Sequence, residues 1–235
     1  MSAPDLRPYF KHLHWRPMPH SRGVPVASDW ADKAEDDPVF GLYKKCGLWT
    51  MEEAAILSEC AAQMSGSWLD IGCHTGWTSA HIIEGGGFVA ALDPMLRNLE
   101  FLGRFRENTR KHPEIPCSEL TSDEFFRFYK GPFFCGVVID GDHMSPHPLR
   151  DAQNSARHLA ATGVILLHDA IGAPVHEAAT WLMDNGFKCR MYFTTHMVAC
   201  CWRGDFTPPA HQRDTSVDWQ AVKRIMHPFD FSRCS

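Results

Sequence analysis

The chain has 235 residues, 44% of them apolar, and a formal net charge of -5. That is enough apolar material for one core in one decorated domain. The charge balance, with no basic run, gives no footprint for nucleic acid, so nucleic acid is not expected as a partner. Nine cysteines, an odd number with no C-x-x-C pair, lie mostly inside apolar runs, which argues against a disulfide framework or a structural zinc site and for a reducing, cytoplasmic setting.

Residues 1–45 are rich in proline and charge and are expected to form an irregular N-terminal arm or lid. From Thr50 the run TMEEAAILSECAAQM has acids in its first turn and apolar residues at helical spacing, which predicts a helix ending near Ser65 and Gly66. SWLDIG reads as a short buried strand and TGWTSAHIIEGG as a helix stopped by Gly85, Gly86 and Gly87. FVAALDP follows as a strand, then MLRNLEFLGRFRENTRKH as one amphipathic helix before Pro113. IPCSELTS is a weaker strand, and SDEFFRFYK a short helix with Ser122 as its expected N-cap. FFCGVVIDGD is a strongly apolar strand, SPHPLRDAQNSARHLAATG a helix closed by Gly163, and VILLHDA a fifth strand ending in His168 and Asp169. PVHEAATWLMDNGF is a helix, KCRMYFTTHMVACCWRG divides into two strands, and DWQAVKRIM is a short helix in the tail. No stretch reaches the roughly 20 apolar residues of a membrane span, so no membrane partner is expected.

Strands separated by helices of ten or more residues imply βαβ units. The last two strands are too close for a crossover and must form an antiparallel hairpin. The expectation is a Rossmann-like α/β fold: a seven-stranded, mainly parallel sheet with one antiparallel edge strand and helices on both faces. It spans residues 46–203, with 204–235 as a C-terminal extension.

In such sheets ligands gather beyond the carboxyl ends of the strands. Those ends are Asp70 to Gly76, Asp93, Thr121 to Asp123, Asp140 to His143, and His168 to Asp169. Carboxylates crowded there would repel a pyrophosphate. The glycine spacing D-I-G-C-H-T-G also fails G-x-G-x-x-G, and no P-loop motif exists. An acid before the turn suits a ligand that is positive near the glycines, such as the α-amino group of a methionine moiety. Asp93, at the next tip, can accept hydrogen bonds from ribose hydroxyls.

DIGCHTGWTSA resembles motif I of class I S-adenosylmethionine-dependent methyltransferases. VVIDGDH followed by GVILLHDA resembles their small-molecule O-methyltransferases, of the catechol O-methyltransferase-like and methyltransferase family 24-like kind, with similarity over roughly residues 45 to 203. The resemblance implies S-adenosyl-L-methionine as cofactor. Asp70, Gly72, His74 and Gly76 would lie around its methionine part, Asp93 on the ribose, and Thr121, Ser122 or Asp123 beside the adenine, with Asp140 at the next tip. Trp77 is counted with the cofactor residues, although as an aromatic in an apolar helix it reads as core. His143, Asp140 and Asp169 are the polar groups best placed to manage an acceptor's proton, with His143 as general base. In the catechol-like family a divalent cation is held at the fourth and fifth strand tips. Asp140 and Asp169 match, but Ala170 stands at the third position, leaving His168 or Asp142 as the substitute for Mg2+ or another divalent cation. Trp49 reads equally as core or as a cofactor contact. The arm and the tail are expected to supply the pocket for a small-molecule acceptor. An acceptor nitrogen or polymer, a binding protein without turnover, and a homo-oligomer all stay open.

Overall fold

The computed structural model describes Trp49 and residues 51–64, 66–194, 196–211 and 219–234. The expected arm over 1–45 lies outside the described residues. The elements run α1 Met51–Gln63, β1 Ser67–Ile71, α2 Trp77–Glu84, β2 Phe88–Leu92, α3 Leu99–Asn108, β3 Cys117–Ser118, α4 Ser122–Phe128 and β4 Phe134–Ile139. They continue α5 His147–Arg157, β5 Leu159–Leu167, α6 Ala173–Asp184, β6 Lys188–Tyr192, β7 Val198–Arg203 and α7 Trp219–Ile225.

The seven strands form one sheet in the order β3-β2-β1-β4-β5-β7-β6. All neighbours up to β5 pair in parallel, and β7 pairs antiparallel with both β5 and β6. The antiparallel strand is therefore second from its edge, inserted between β5 and β6. Both faces of the sheet are covered, which is why its central strands are continuous apolar runs. Alternate residues feed two cores: Trp68, Val138 and Leu166 pack with Trp49, Trp77 and Phe105. Leu69, Val137 and Ile165 pack on the opposite face with Leu182, Trp219 and Met226. Strand β1 begins this two-residue alternation and so sends Asp70, two after Trp68, toward the α2 face.

Three local expectations are corrected. The helix foreseen from Met95 is split: Pro94–Arg97 is a 3-10 turn, and Asn98, with φ -80° and ψ 121°, starts α3 afresh by accepting from the Glu100 amide. A capping side chain inside the run competes with the helix ladder and wins. Helix α4 is capped by Thr121, not Ser122, in a reciprocal capping box with Glu124. Helix α5 ends at Arg157 and β5 starts at Leu159, because Leu159 pairs with Phe134 and the Arg203 guanidinium holds the carbonyls of Leu159 and Ala160.

The extension joins the domain: Trp219, Val222, Met226 and Phe229 are buried in the second core, and Cys234 pairs with Cys189 of β6. Among the described residues every cysteine is a free thiol, and no helix is long and apolar enough to cross a membrane.

Candidate functional site

A cleft of 490 Å³ opens at the carboxyl ends of β1 to β4, bounded by Gly72 and His74, Asp93 to Met95, Leu120 to Ser122, and Asp140 to His143. Its size falls in the range of small-molecule sites. The turn after β1 is held tightly. Gly72 has φ 86°, and a Cβ there would lie 2.1 Å from the Asp140 carbonyl oxygen. Only a residue with no side chain lets the β1 turn press against the β4 tip in this conformation. His74, with φ 46°, donates its amide to Asp93 Oδ2 at 2.8 Å, and Asp93 Oδ1 accepts from the Met95 amide at 2.8 Å. Asp93 thus ties the first two strand tips together while lining the cleft.

Asp70 is fully buried behind this turn. Its Oδ2 accepts from Thr78 Oγ1 at 2.7 Å and Ser79 Oγ at 2.6 Å, and its Oδ1 has no hydrogen-bond partner. Burial, with Asp140 and Asp93 adding repulsion, pushes its carboxyl up to about 7 against the two hydroxyl donors. Gly76, at φ 90°, opens α2, and a Cβ there would meet Thr109 and Phe105. Trp77 is a core residue, edge-on to His81, rather than a wall of the cleft.

The fourth and fifth tips form the second half of the site. His143 Nε2 lies 3.2 Å from Asp169 Oδ2 and 3.5 Å from Asp140 Oδ1. Behind them His168 is fully buried, with Nδ1 3.0 Å from Asp140 Oδ1 and 3.4 Å from Asp169 Oδ2. Trp49 Nε1 donates to Asp140 Oδ2 at 2.8 Å while its ring stacks on His168 at 4.6 Å. Burial alone would neutralise these groups, but mutual attraction overrides it. The carboxyls of Asp140 and Asp169 are held below their usual range by His168, with His143 contributing. His168 is held well above the ordinary histidine value by Asp140 and Asp169, and His143 is raised by the same two acids. Deeper still, Glu53 of α1 meets His168 Nε2 at 3.3 Å and His196 Nδ1 at 3.1 Å.

On the remaining wall, Ser122 Oγ hydrogen-bonds Asp151 of α5, whose carboxyl is raised by burial to about 6. His147 stands 3.7 Å from Asp142 at the mouth.

The cleft therefore brings together Gly72, His74, Asp93, Thr121, Ser122, Asp140 and His143. Asp70, Gly76 and Trp77 lie behind its wall, as do His168 and Asp169. No described residue of the C-terminal extension lines it. The sequence reading missed Asp151, Glu53 and His196. Glu53 differs from Glu52 in no local signal, and only the packing of α1 on the β5 tip selects it.

A magnesium site made from Asp140, Asp169 and His168 does not suit these residues. His168 turns Nδ1 to both acids as a donor, so it presents them a hydrogen rather than a lone pair. The imidazole that converges with both acids as a possible ligand group is His143, which gives two carboxylates and a nitrogen where Mg2+ wants oxygens.

No protein-family model matches the chain, and no curated protein matches it. Solved structures do. A methyltransferase from Podospora anserina, bound to S-adenosylhomocysteine, superposes with a TM-score of 0.58 at 14% identity, covering 85% of this chain and 93% of that one. An O-methyltransferase from Bacillus cereus, also with S-adenosylhomocysteine, gives 0.56 at 11% identity over 67% and 83%. A precorrin-6y C5,15-methyltransferase from Geobacter metallireducens gives 0.55 at 19% over 68% and 92%. The chain has the Rossmann-like fold of class I S-adenosylmethionine-dependent methyltransferases.

Proposed function

We propose that the chain is an S-adenosylmethionine-dependent methyltransferase that methylates a hydroxyl group of a small molecule, with His143 as general base. The observation that carries this reading is one cleft that joins the glycine turn and Asp93 to an imidazole held by two carboxylates. The acids on its walls and the bare Cα of Gly72 fit a cationic nucleoside ligand. Gly72, His74 and Asp93, with Thr121 and Ser122 opposite, are the residues that would hold it, and Asp70 supports the turn from behind through α2. When bound, the cofactor supplies a methyl group activated by a sulfonium.

The protein's own work is then to align an acceptor and take its proton. Asp140 and Asp169 are ionised and can only accept, so His143 Nε2 carries the hydrogen that faces them and Nδ1 keeps its lone pair. With an acceptor aligned in the cleft, Nδ1 would take the proton of its O–H, and the two carboxylates would stabilise the imidazolium that results. Trp49 and His168 fix Asp140 from behind, so that the pair does not turn away from His143. No step here uses a metal.

Calorimetric titration of the full chain with S-adenosylhomocysteine tests the cofactor reading. Binding is expected, and none at millimolar ligand would refute it. Turnover against a panel of hydroxylated and aminated small molecules then tests the acceptor, with methyl transfer confined to amines as the contrary result.

A further inference from the structure

We infer that Glu53, His168 and His196 form a site for a borderline divalent cation of the Zn2+ type, buried between α1, the β5 tip and the β6–β7 turn. The three come from segments separated by 115 and 143 residues, and each is buried. Their ligand atoms converge: the same oxygen, Glu53 Oε2, is 3.3 Å from His168 Nε2 and 3.1 Å from His196 Nδ1. Hydrogen bonds between imidazolium and carboxylate are shorter, about 2.7–2.9 Å. Bonds of about 2.0–2.1 Å to a tetrahedral zinc put neighbouring ligand atoms roughly 3.3–3.4 Å apart, a spacing that the 3.3 Å contact meets and the 3.1 Å contact approaches, and the three ligand atoms all lie within 4.8 Å of one another.

The surroundings orient these ligands as a metal centre requires. His168 directs its other nitrogen, Nδ1, to Asp140 at 3.0 Å, the carboxylate–histidine arrangement that fixes a ligating tautomer. Glu53 Oε1 accepts from the His196 amide at 3.0 Å, which holds the carboxylate plane and leaves Oε2 facing the two rings. The turn that carries His196 also holds Thr194 Oγ1, which is buried with no hydrogen-bond partner. Two imidazoles and one carboxylate are a zinc-type donor set, unlike the all-oxygen set that magnesium prefers.

Such an ion is a structural pin. It ties the first turn of α1 to the β5 tip, and through His168 Nδ1 it sets the position of Asp140 on the cleft wall. The site does not depend on the methyltransferase reading, and its test reads the metal and not turnover.

The full chain, without an affinity tag and purified without chelator, is assayed for metal by mass spectrometry, then stripped and titrated with Co2+. The expected results are close to one zinc per chain, a tetrahedral Co2+ visible band saturating at one equivalent, and a change in tryptophan fluorescence from Trp49, which stacks on His168. Glu53→Gln keeps shape and hydrogen bonding but removes the anionic ligand, and should abolish the band. His143→Ala, at the neighbouring tip, should retain it. A folded wild-type chain that develops no tetrahedral band overturns the site, whatever the variants do. A band lost in His143→Ala but kept in Glu53→Gln overturns it too, by placing the ion at the tip.

Discussion

Replacing Gly72 with alanine tests whether the β1 turn is pressed against the β4 tip, the contact that shapes the cleft. Two costs are expected. Gly72 has φ 86°, and a side chain in that region costs roughly 1–2 kcal/mol. The added Cβ would also lie 2.1 Å from the Asp140 carbonyl oxygen, 2.4 Å from its carbonyl carbon and 2.7 Å from the Gly141 nitrogen. These are backbone atoms at a strand end and cannot swing aside, so overpacking adds about 1–3 kcal/mol. Gly86 supplies the control: its φ is 97°, yet a Cβ there meets nothing within 4 Å. Gly86→Ala should therefore show the conformational cost alone, about 1–2 kcal/mol, and Gly72→Ala about 2–5 kcal/mol. The assay is urea unfolding of both variants beside the parent, with binding of S-adenosylhomocysteine measured on the folded fraction. Binding should fall only for Gly72→Ala. Equal destabilisation by the two substitutions would refute the close approach of the turn to Asp140.

His143→Gln should lower kcat by about 10²–10⁴-fold with little change in cofactor affinity, the loss typical of a general base; a matching loss of affinity would make the residue a binding group instead. Because the base acts when neutral and its acids raise its pKa, turnover should climb with pH through a value above the ordinary histidine range. Asp169→Asn should move that limb to lower pH, and an unmoved limb would separate His143 from the profile. Asp70 titrates at about 7 in the folded chain, far above its unfolded value. The folded state then binds more protons, so this group's contribution to stability is full below about pH 4 and is lost as pH rises toward about 7, on the order of a few kcal/mol. Asp70→Asn should remove that part of the pH dependence, and unfolding curves of parent and variant that stay parallel from pH 4 to 8 would count against the burial argument. Asp93→Ala should weaken S-adenosylhomocysteine binding by a few kcal/mol at most, and unchanged affinity would deny it a place in the ligand's grip.

The elements were legible where their signal is local. Acids in the first turn of α1, glycines after α2 and α6, and apolar runs in β4 and β5 each state their own structure, and the spacing of the strands implies the parallel sheet. Errors fell where a distant partner decides. Nothing within residues 158–163 announces a strand until Phe134 and Arg203 are alongside, and Ser122 looks as good a cap as Thr121 until Asp151 takes its hydroxyl.

The candidate site divides in the same way. Gly72, His74, Asp93, Asp140 and His143 could be named from the sequence because chain direction fixes which residues end parallel strands, and those ends share one edge of the sheet. The roles of the groups could not. That His168 serves Asp140 with one nitrogen and Glu53 with the other is set by the docking of α1 over the β5 tip, as are the stack of Trp49 on His168 and the pairing of His196 with Glu53. Sequence order alone determined where the strand tips lie. Only tertiary packing decided which buried charges face each other, because their protonation depends on neighbours brought in from other elements, 28 residues away for Asp140 and His168 and 143 for Glu53 and His196.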